Sequence, residues 1–82
     1  MIEVLFFARY REALATEQLS LEWQDNWQCV DDVRHHLVQH GEPWSILEDP
    51  TLMCALNQDM CSLDAAVRPG DNLAFFPLVT GG

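Results

Sequence analysis

Residues 70–82 read GDNLAFFPLVTGG, an apolar stretch held between a turn and a Gly-Gly ending. The segment Arg68-Pro69-Gly70-Asp71 predicts a turn, because proline presets one backbone dihedral angle and glycine accepts a positive one. Residues 73–76 have the composition of a strand. Pro77 lacks an amide hydrogen and therefore limits further pairing in a sheet. We expect residues 73–76 to be the last strand of the domain.

The first eight residues, MIEVLFFA, predict a second apolar strand that has two useful faces. Side chains alternate between the faces of a strand, so the two terminal strands can be divided into an inward and an outward set. The predicted inward side chains are Ile2, Val4, Phe6, Leu73 and Phe75. The predicted outward side chains are Leu5, Phe7, Ala74 and Phe76.

The residues between these strands predict the remaining elements. Residues 9–15 favour a short helical turn and residues 18–23 alternate like a strand. Residues 29–40 carry apolar side chains at helical spacing and predict the main helix, with Asp31 and Asp32 in its first turn and His40 near its last. Residues 44–48 predict a helical turn. Residues 52–56 and 60–63 predict two short strands around a turn at residues 57–59.

This element order favours an α+β architecture in which one main helix lies across one face of a small mixed sheet. It is typical of a β-grasp fold with the first and last strands in the interior of the sheet. We expect a β-grasp domain over residues 1–77 and an extended C-terminal tail over residues 78–82.

One helix cannot cover both faces of a sheet, so the outward side chains should form an apolar surface. Phe7 and Phe76, with Met60, are the predicted members of a partner-binding patch. Coverage of these side chains by the loop after the first strand, or by the tail, is the alternative that the sequence leaves open.

Composition narrows the possible partners and location. The 82 residues carry 13 acidic and four basic side chains, for a net charge of -9, which disfavours nucleic acid and anionic membranes as partners. Basic partners are favoured, although acidity could serve solubility alone. No apolar run approaches the roughly 18 residues needed to span a bilayer, and we see no signal peptide. We expect a cytoplasmic protein.

The other reactive residue types give weaker signals. Cys29, Cys54 and Cys61 lack metal-ligand spacing, and we expect free thiols that stay reduced. For Cys29, at the start of a helix, the alternatives are a reactive thiol and a small capping or core residue. His36 and His40 lack a third ligand, so no metal is expected. No nucleophile, base and orienting group are gathered in this chain, so we expect no catalysis by the domain alone.

The tail over residues 78–82 consists of Leu78, Val79, Thr80, Gly81 and Gly82. Fully extended, residues 77–82 could reach at most about 20 Å, enough to enter a cleft on another protein. Gly81 and Gly82 have no side chain to obstruct a narrow channel, so the terminal carboxylate could be the working group. A free carboxylate is a poor electrophile and would need adenylation before a sulfur or nitrogen nucleophile could displace AMP.

The segments VLFFARYRE, residues 4–12, and GDNLAFFPLVTGG make the chain resemble the ubiquitin-like sulfur carriers, and among them the MoaD-type small subunits of molybdopterin synthase. The resemblance implies that Gly82 is adenylated, converted to a thiocarboxylate and used to give sulfur to cyclic pyranopterin monophosphate. It matches Phe7, Met60 and Phe76 with the family's apolar contact positions and Arg11-Glu12 with a family motif. The chain departs from the family at Leu78, where a second proline is usual, and at Ala15, where glycine is frequent.

The same resemblance implies the partners. They are the large synthase subunit, with which the carrier forms a heterotetramer, an adenylyltransferase related to ubiquitin-activating enzymes, and a sulfur-donor protein. ATP would be used by the activating partner, and no cofactor would be bound by this chain. The tail would contact the partner. Against so acidic a background, Arg9 or Arg11 could pair with a carboxylate on the partner, and ordinary solvated charges are the alternative that the sequence leaves open. A carrier for thiamine thiazole or another product, and a plain interaction module, remain the alternatives.

Overall fold

The computed structural model describes residues 1–78 of the chain. The strands are β1 (Ile2–Phe6), β2 (Gln18–Leu21), β3 (Met53–Leu56), β4 (Asp59–Cys61) and β5 (Asn72–Phe76). The helices are α1 (Ala8–Leu14) and α2 (Val30–Val38), followed by a 3-10 helix at Trp44–Glu48.

The strands form one mixed sheet in the order β2-β1-β5-β3-β4. β1 and β5 pair in parallel, and the other neighbours are antiparallel. The two most apolar strands therefore lie inside the sheet, as their composition predicted. The α+β class and the β-grasp architecture are confirmed.

The core lies between the sheet and α2. All of the predicted inward side chains of β1 and β5 are fully buried, with no exposed surface. Val30, Val33 and Leu37, the apolar stripe of α2, are buried against them, as helical spacing predicts. Phe6 packs edge-on against Trp44, with ring centroids 5.7 Å apart, and stacks on Phe75 at 6.4 Å.

The main helix is shorter than predicted. It begins after Cys29, where the Asp32 carboxylate accepts hydrogen bonds from the backbone amides of Gln28, at 2.8 Å, and Cys29, at 3.0 Å. These bonds hold the pKa of Asp32 below its usual value. The helix ends at Val38, so the prediction that it reached residue 40 was wrong. His40 lies beyond the last turn, where its Nδ1 donates to the His36 carbonyl at 3.0 Å.

The two tight turns differ in how closely they follow the prediction. At residues 68–71 the Asp71 amide donates to the Arg68 carbonyl at 3.2 Å and Gly70 has a φ of 89°, which confirms that turn. The hairpin between β3 and β4 is tighter than expected. Only Asn57 and Gln58 form its turn, both with positive φ, and Asp59 already pairs with Leu56.

The short helix α1 ends at a strained residue. Ala15 caps it in the left-handed region, at φ 50° and ψ 36°, and donates its amide back to the Glu12 carbonyl. That conformation costs a residue with a Cβ about 1–2 kcal/mol, whereas glycine adopts it freely. A glycine at position 15, which the resemblance drawn from the sequence implies to be frequent, would adopt this conformation without that strain.

We expect Ala15→Gly to raise the free energy of unfolding by about 0.5–1 kcal/mol, because relief of strain exceeds the added entropy of the unfolded chain. The matched control is Ala13→Gly, at an exposed position inside α1, which should lose about 1 kcal/mol. Urea unfolding of both variants measures the difference. Equal effects of the two substitutions would contradict the account of Ala15.

Within the described residues, none of the helices has the length and apolar character required to cross a bilayer.

Candidate partner-binding site

The face of the sheet opposite α2 carries a continuous row of apolar side chains. Strand register places Leu5 beside Ala74, Ala74 beside Ala55, and Ala55 beside Met60. The row thus crosses four strands in succession. Its two central members are Ala74 and Ala55, whose small side chains project less from the sheet than the larger side chains at the two ends.

Larger side chains around the alanines turn this row into a groove of about 550 Å³. We call it the apolar groove. It is lined by residues from all five strands and their flanks: Leu5, Phe7, Gln18, Ala55, Gln58, Met60, Asn72, Leu73, Ala74 and Phe76. The three apolar side chains predicted for the partner-binding patch, Phe7, Met60 and Phe76, therefore lie around one concavity.

The predicted contacts are open to solvent. Phe7 is 43% exposed, Met60 is 59% exposed and Phe76 is partly buried. The segment after β1, which was considered as a loop that could cover these side chains, is the helix α1, and it leaves Phe7 exposed. Large exposed apolar side chains gathered in one concavity are typical of a protein-binding surface.

The position of Phe7 is fixed by its backbone. Its amide donates to the Phe75 carbonyl at 3.2 Å, which ties the end of β1 to β5. Its own carbonyl accepts from the Tyr10 amide at 3.2 Å as α1 begins. Phe7 thus projects from a junction between the sheet and a helix, a rigid place for an anchor side chain.

An ionised carboxylate lies on the β2 side of this sheet face. Glu3 accepts hydrogen bonds from the Ser20 hydroxyl, at 2.6 Å to one oxygen, and from the Gln18 amide at 2.9 Å. The Ser20 bond first, and then the Gln18 bond, lowers the pKa of Glu3. A negative rim beside the groove agrees with the net charge of -9.

The start of α1 is pinned to the other side of the domain by Asp49. Its carboxylate accepts hydrogen bonds from the Thr51 amide at 2.9 Å and hydroxyl at 2.8 Å, and from the Tyr10 hydroxyl at 2.9 Å. The Arg9 guanidinium completes the cluster with an ion pair. The Thr51 amide first, followed by the other donors, holds the pKa of Asp49 well below its usual range. Arg9 is therefore occupied within the chain.

Lowering the pH should remove the contribution of Asp49 to stability. Its folded pKa is depressed, so its contribution is complete above the unfolded pKa of about 3.9 and is lost as the pH falls through the folded value. We expect the acid-induced fall in the free energy of unfolding to be smaller in Asp49→Asn than in the wild type. Asp25→Asn, in an exposed turn, is the matched control and should follow the wild type. Urea unfolding at successive pH values makes the comparison, and an unchanged acid dependence in Asp49→Asn would refute this role.

The remaining predicted site residues lie apart from the groove or beyond the described chain. Arg11 is exposed on α1 and does not line the groove. Pro77 is buried and Leu78 is 47% exposed directly after it. Val79, Thr80, Gly81 and Gly82 lie outside the described residues.

Some members of the groove were missed from the sequence. Ala55, Gln58, Gln18 and Asn72 line it, but small or polar residues on short strands carry no signal of their own. Only the strand register, which pairs Ala55 with both Ala74 and Met60, brings them together. The outward positions of Leu5 and Ala74 were predicted.

Two of the three histidines, His36 and His40, pack with tryptophans. The His36 ring meets Trp27 at a centroid distance of 5.2 Å and His40 at 5.4 Å, and His40 lies 6.2 Å from Trp44. The two rings thus form a row of aromatic contacts from Trp27 to Trp44. Residues 1–78 contain no group of three or more metal-ligating side chains.

A mixed five-stranded sheet with its main helix on one face and an open apolar groove on the other defines a ubiquitin-like β-grasp domain. Solved structures share this fold. SAMP1 from Haloferax volcanii superimposes with a TM-score of 0.77 at 25% identity, covering 99% of this chain and 98% of that one. A second match is a chain in the complex of subunits 1 and 2 of molybdopterin-converting factor from Helicobacter pylori. It superimposes with a TM-score of 0.65 at 23% identity, covering 99% of this chain and 97% of that one.

The chain belongs to the ThiS family, whose model matches residues 4–82. It is similar along its full length to two proteins named molybdopterin synthase sulfur carrier subunit. The one from Haemophilus influenzae is 45% identical and the one from Escherichia coli 41%, each over 100% of both chains. The resemblance drawn from residues 4–12 and 70–82 is confirmed.

Proposed function

We propose that this protein is the sulfur carrier and small subunit of molybdopterin synthase. The observation that carries the proposal is the full-length similarity, at 45% and 41% identity, to two proteins of that name. The apolar groove supports the proposal, because it is an open concavity with large apolar side chains beside β5, the strand that precedes the tail.

The chemistry that we propose takes place at Gly82. A partner enzyme transfers AMP from ATP to the terminal carboxylate and releases pyrophosphate, which turns a poor electrophile into an acyl adenylate. Hydrosulfide supplied by a donor protein then attacks the acyl carbon, the bond to AMP breaks, and Gly82 is left as a thiocarboxylate. The thiocarboxylate gives its sulfur to cyclic pyranopterin monophosphate, and two such transfers build the dithiolene. Gly81 gives the end of the tail access to a narrow site.

We propose the large synthase subunit as the occupant of the apolar groove. The Helicobacter pylori structure holds subunits 1 and 2 of molybdopterin-converting factor as a complex, which is the precedent for such an assembly. Phe7, Met60 and Phe76 would be its anchors, since a few buried apolar or aromatic side chains carry most of the binding energy at interfaces. Arg11 and residues 78–82 would contact the partner outside the groove.

The proposed assembly can be tested with purified subunits. We expect this chain and a large synthase subunit to elute together as a heterotetramer, with a mass by light scattering that corresponds to two copies of each. The control is a large subunit mixed with the thiamine-pathway carrier. Preferential binding of this chain to a thiazole synthase instead would favour the alternative sulfur-carrier pathway and would overturn this proposal.

A further inference from the structure

Two of the three cysteines face each other on neighbouring strands. Cys54 in β3 and Cys61 in β4 are direct cross-strand partners, with their Sγ atoms 3.5 Å apart. The Cys54 thiol lies 3.3 Å from the Cys61 carbonyl, to which it donates. Both are free thiols. Cys29 is on another element, at the start of α2, where its thiol points to Asp32.

We propose that Cys54 and Cys61 form a site of reversible oxidation, which takes a hydroperoxide as its substrate and closes into a disulfide. Directly paired residues of antiparallel strands have Cα atoms about 4.5–5.5 Å apart, inside the range of about 4.4–6.8 Å that disulfides require. The sulfurs need to approach by about 1.5 Å to reach bonding distance. The pairing of the two residues and the separation of their sulfurs are therefore compatible with a disulfide.

The surroundings of the two thiols give them different roles. Cys61 is partly exposed, whereas Cys54 is 2% exposed. Burial, aided by the neighbouring Cys61, raises the pKa of the Cys54 thiol to about 12. Cys54 is therefore held as a neutral thiol, and the more accessible Cys61 is the one that meets the peroxide.

The reaction balances with the hydroperoxide as the only oxidant. The Cys61 thiolate attacks the terminal peroxide oxygen, the O–O bond breaks, and an alcohol leaves once the alkoxide takes a proton. Cys61 is then a sulfenic acid. The Cys54 sulfur attacks that sulfur, the S–O bond breaks, and the hydroxyl leaves as water with the Cys54 proton. Two thiols and one hydroperoxide thus give one disulfide, one alcohol and one water.

The disulfide would tie down an edge of the sheet. β4 has three residues and pairs only with β3, so it is held by few contacts among the described elements. Met60, which precedes Cys61, points to the opposite face and lines the apolar groove. Oxidation on the core side would thus restrain the strand that carries Met60. Neither cysteine lines the groove, so this inference does not depend on the proposed function.

The test uses the full chain with Cys29→Ser, which leaves only the facing pair. On treatment with hydrogen peroxide we expect the intact mass to fall by about 2 Da, for two lost hydrogens, and dithiothreitol to restore it. Proteolytic mapping should recover a cross-linked peptide pair containing residues 54 and 61. The melting temperature should rise by about 5–10 °C on oxidation.

A second variant makes the test specific. Cys29→Ser with Cys61→Ser removes the more accessible partner and should show neither the loss of mass nor the rise in melting temperature. Stepwise gains of about 16 Da per cysteine in the Cys29→Ser chain, or intermolecular dimers without an internal cross-link, would overturn the proposal. If the double variant is unstable, the intact mass and the peptide map of the oxidised Cys29→Ser chain still show whether the disulfide forms.

Discussion

Adding one alanine after Gly82 is expected to lower the rate of thiocarboxylation by at least about 100-fold, because the carboxylate is displaced by one residue and a misplacement of about 1 Å already costs that much. The wild-type chain, incubated with ATP, the activating enzyme and a sulfur donor, should gain about 16 Da as sulfur replaces oxygen. Intact-mass spectrometry over time measures both rates. The extended chain should keep its unaltered mass.

The matched control adds the same alanine directly after Met1, at the opposite end of the sequence. It changes mass and composition identically but leaves the Gly-Gly end intact, so it should charge at the wild-type rate. Equal charging of the C-terminally extended chain and the wild type would show that Gly82 is not the reacting residue. A plain interaction module would show no mass gain in any of the three chains.

The second large effect is expected at the apolar groove. Phe7→Ala combined with Met60→Ala should weaken binding to the large synthase subunit by about 100-fold, because exposed anchors typically contribute 1–2 kcal/mol or more each. Both side chains are largely open in the free protein, at 43% and 59% exposure. The free energy of unfolding should therefore change little. Titration calorimetry and urea unfolding of the double variant measure the two quantities.

Phe6, whose side chain lies on the opposite face of the sheet from Phe7, provides the contrasting substitution. Phe6 precedes Phe7 but is fully buried between Trp44 and Phe75. Phe6→Ala should cost about 3–5 kcal/mol of stability, a large share of what a domain of this size has. If Phe7→Ala/Met60→Ala binds the large subunit as tightly as the wild type, the groove is not the docking surface.

The division between buried and exposed faces could be predicted from the sequence because it depends on local periodicity. Alternation in β1 and β5 assigned Phe6 and Phe75 to the core and Phe7 and Phe76 to the other face, and the structure agrees. The turn at residues 68–71 was predictable for a similar reason, since Pro69 and Gly70 fix the backbone locally.

Contacts between distant parts of the chain could not be predicted. The cluster of Arg9, Tyr10 and Asp49 joins residues about forty positions apart, and single charged residues give no sign of such a partner. The role of Ala55 depends on strand register, which short strands with mixed faces do not specify strongly. The end of α2 was also misplaced. His40 fits the polar face that a longer helix would have, but the helix ends at Val38.

Transfer of labelled sulfur tests the central claim most directly. The carrier is charged with ³⁴S at its C-terminus, purified, and mixed with the large subunit and cyclic pyranopterin monophosphate, and the product is analysed by mass spectrometry. The account predicts molybdopterin whose dithiolene sulfurs both carry ³⁴S, with loss of the label from the carrier. Product that contains only unlabelled sulfur, or a carrier that keeps its label while product forms, would contradict it.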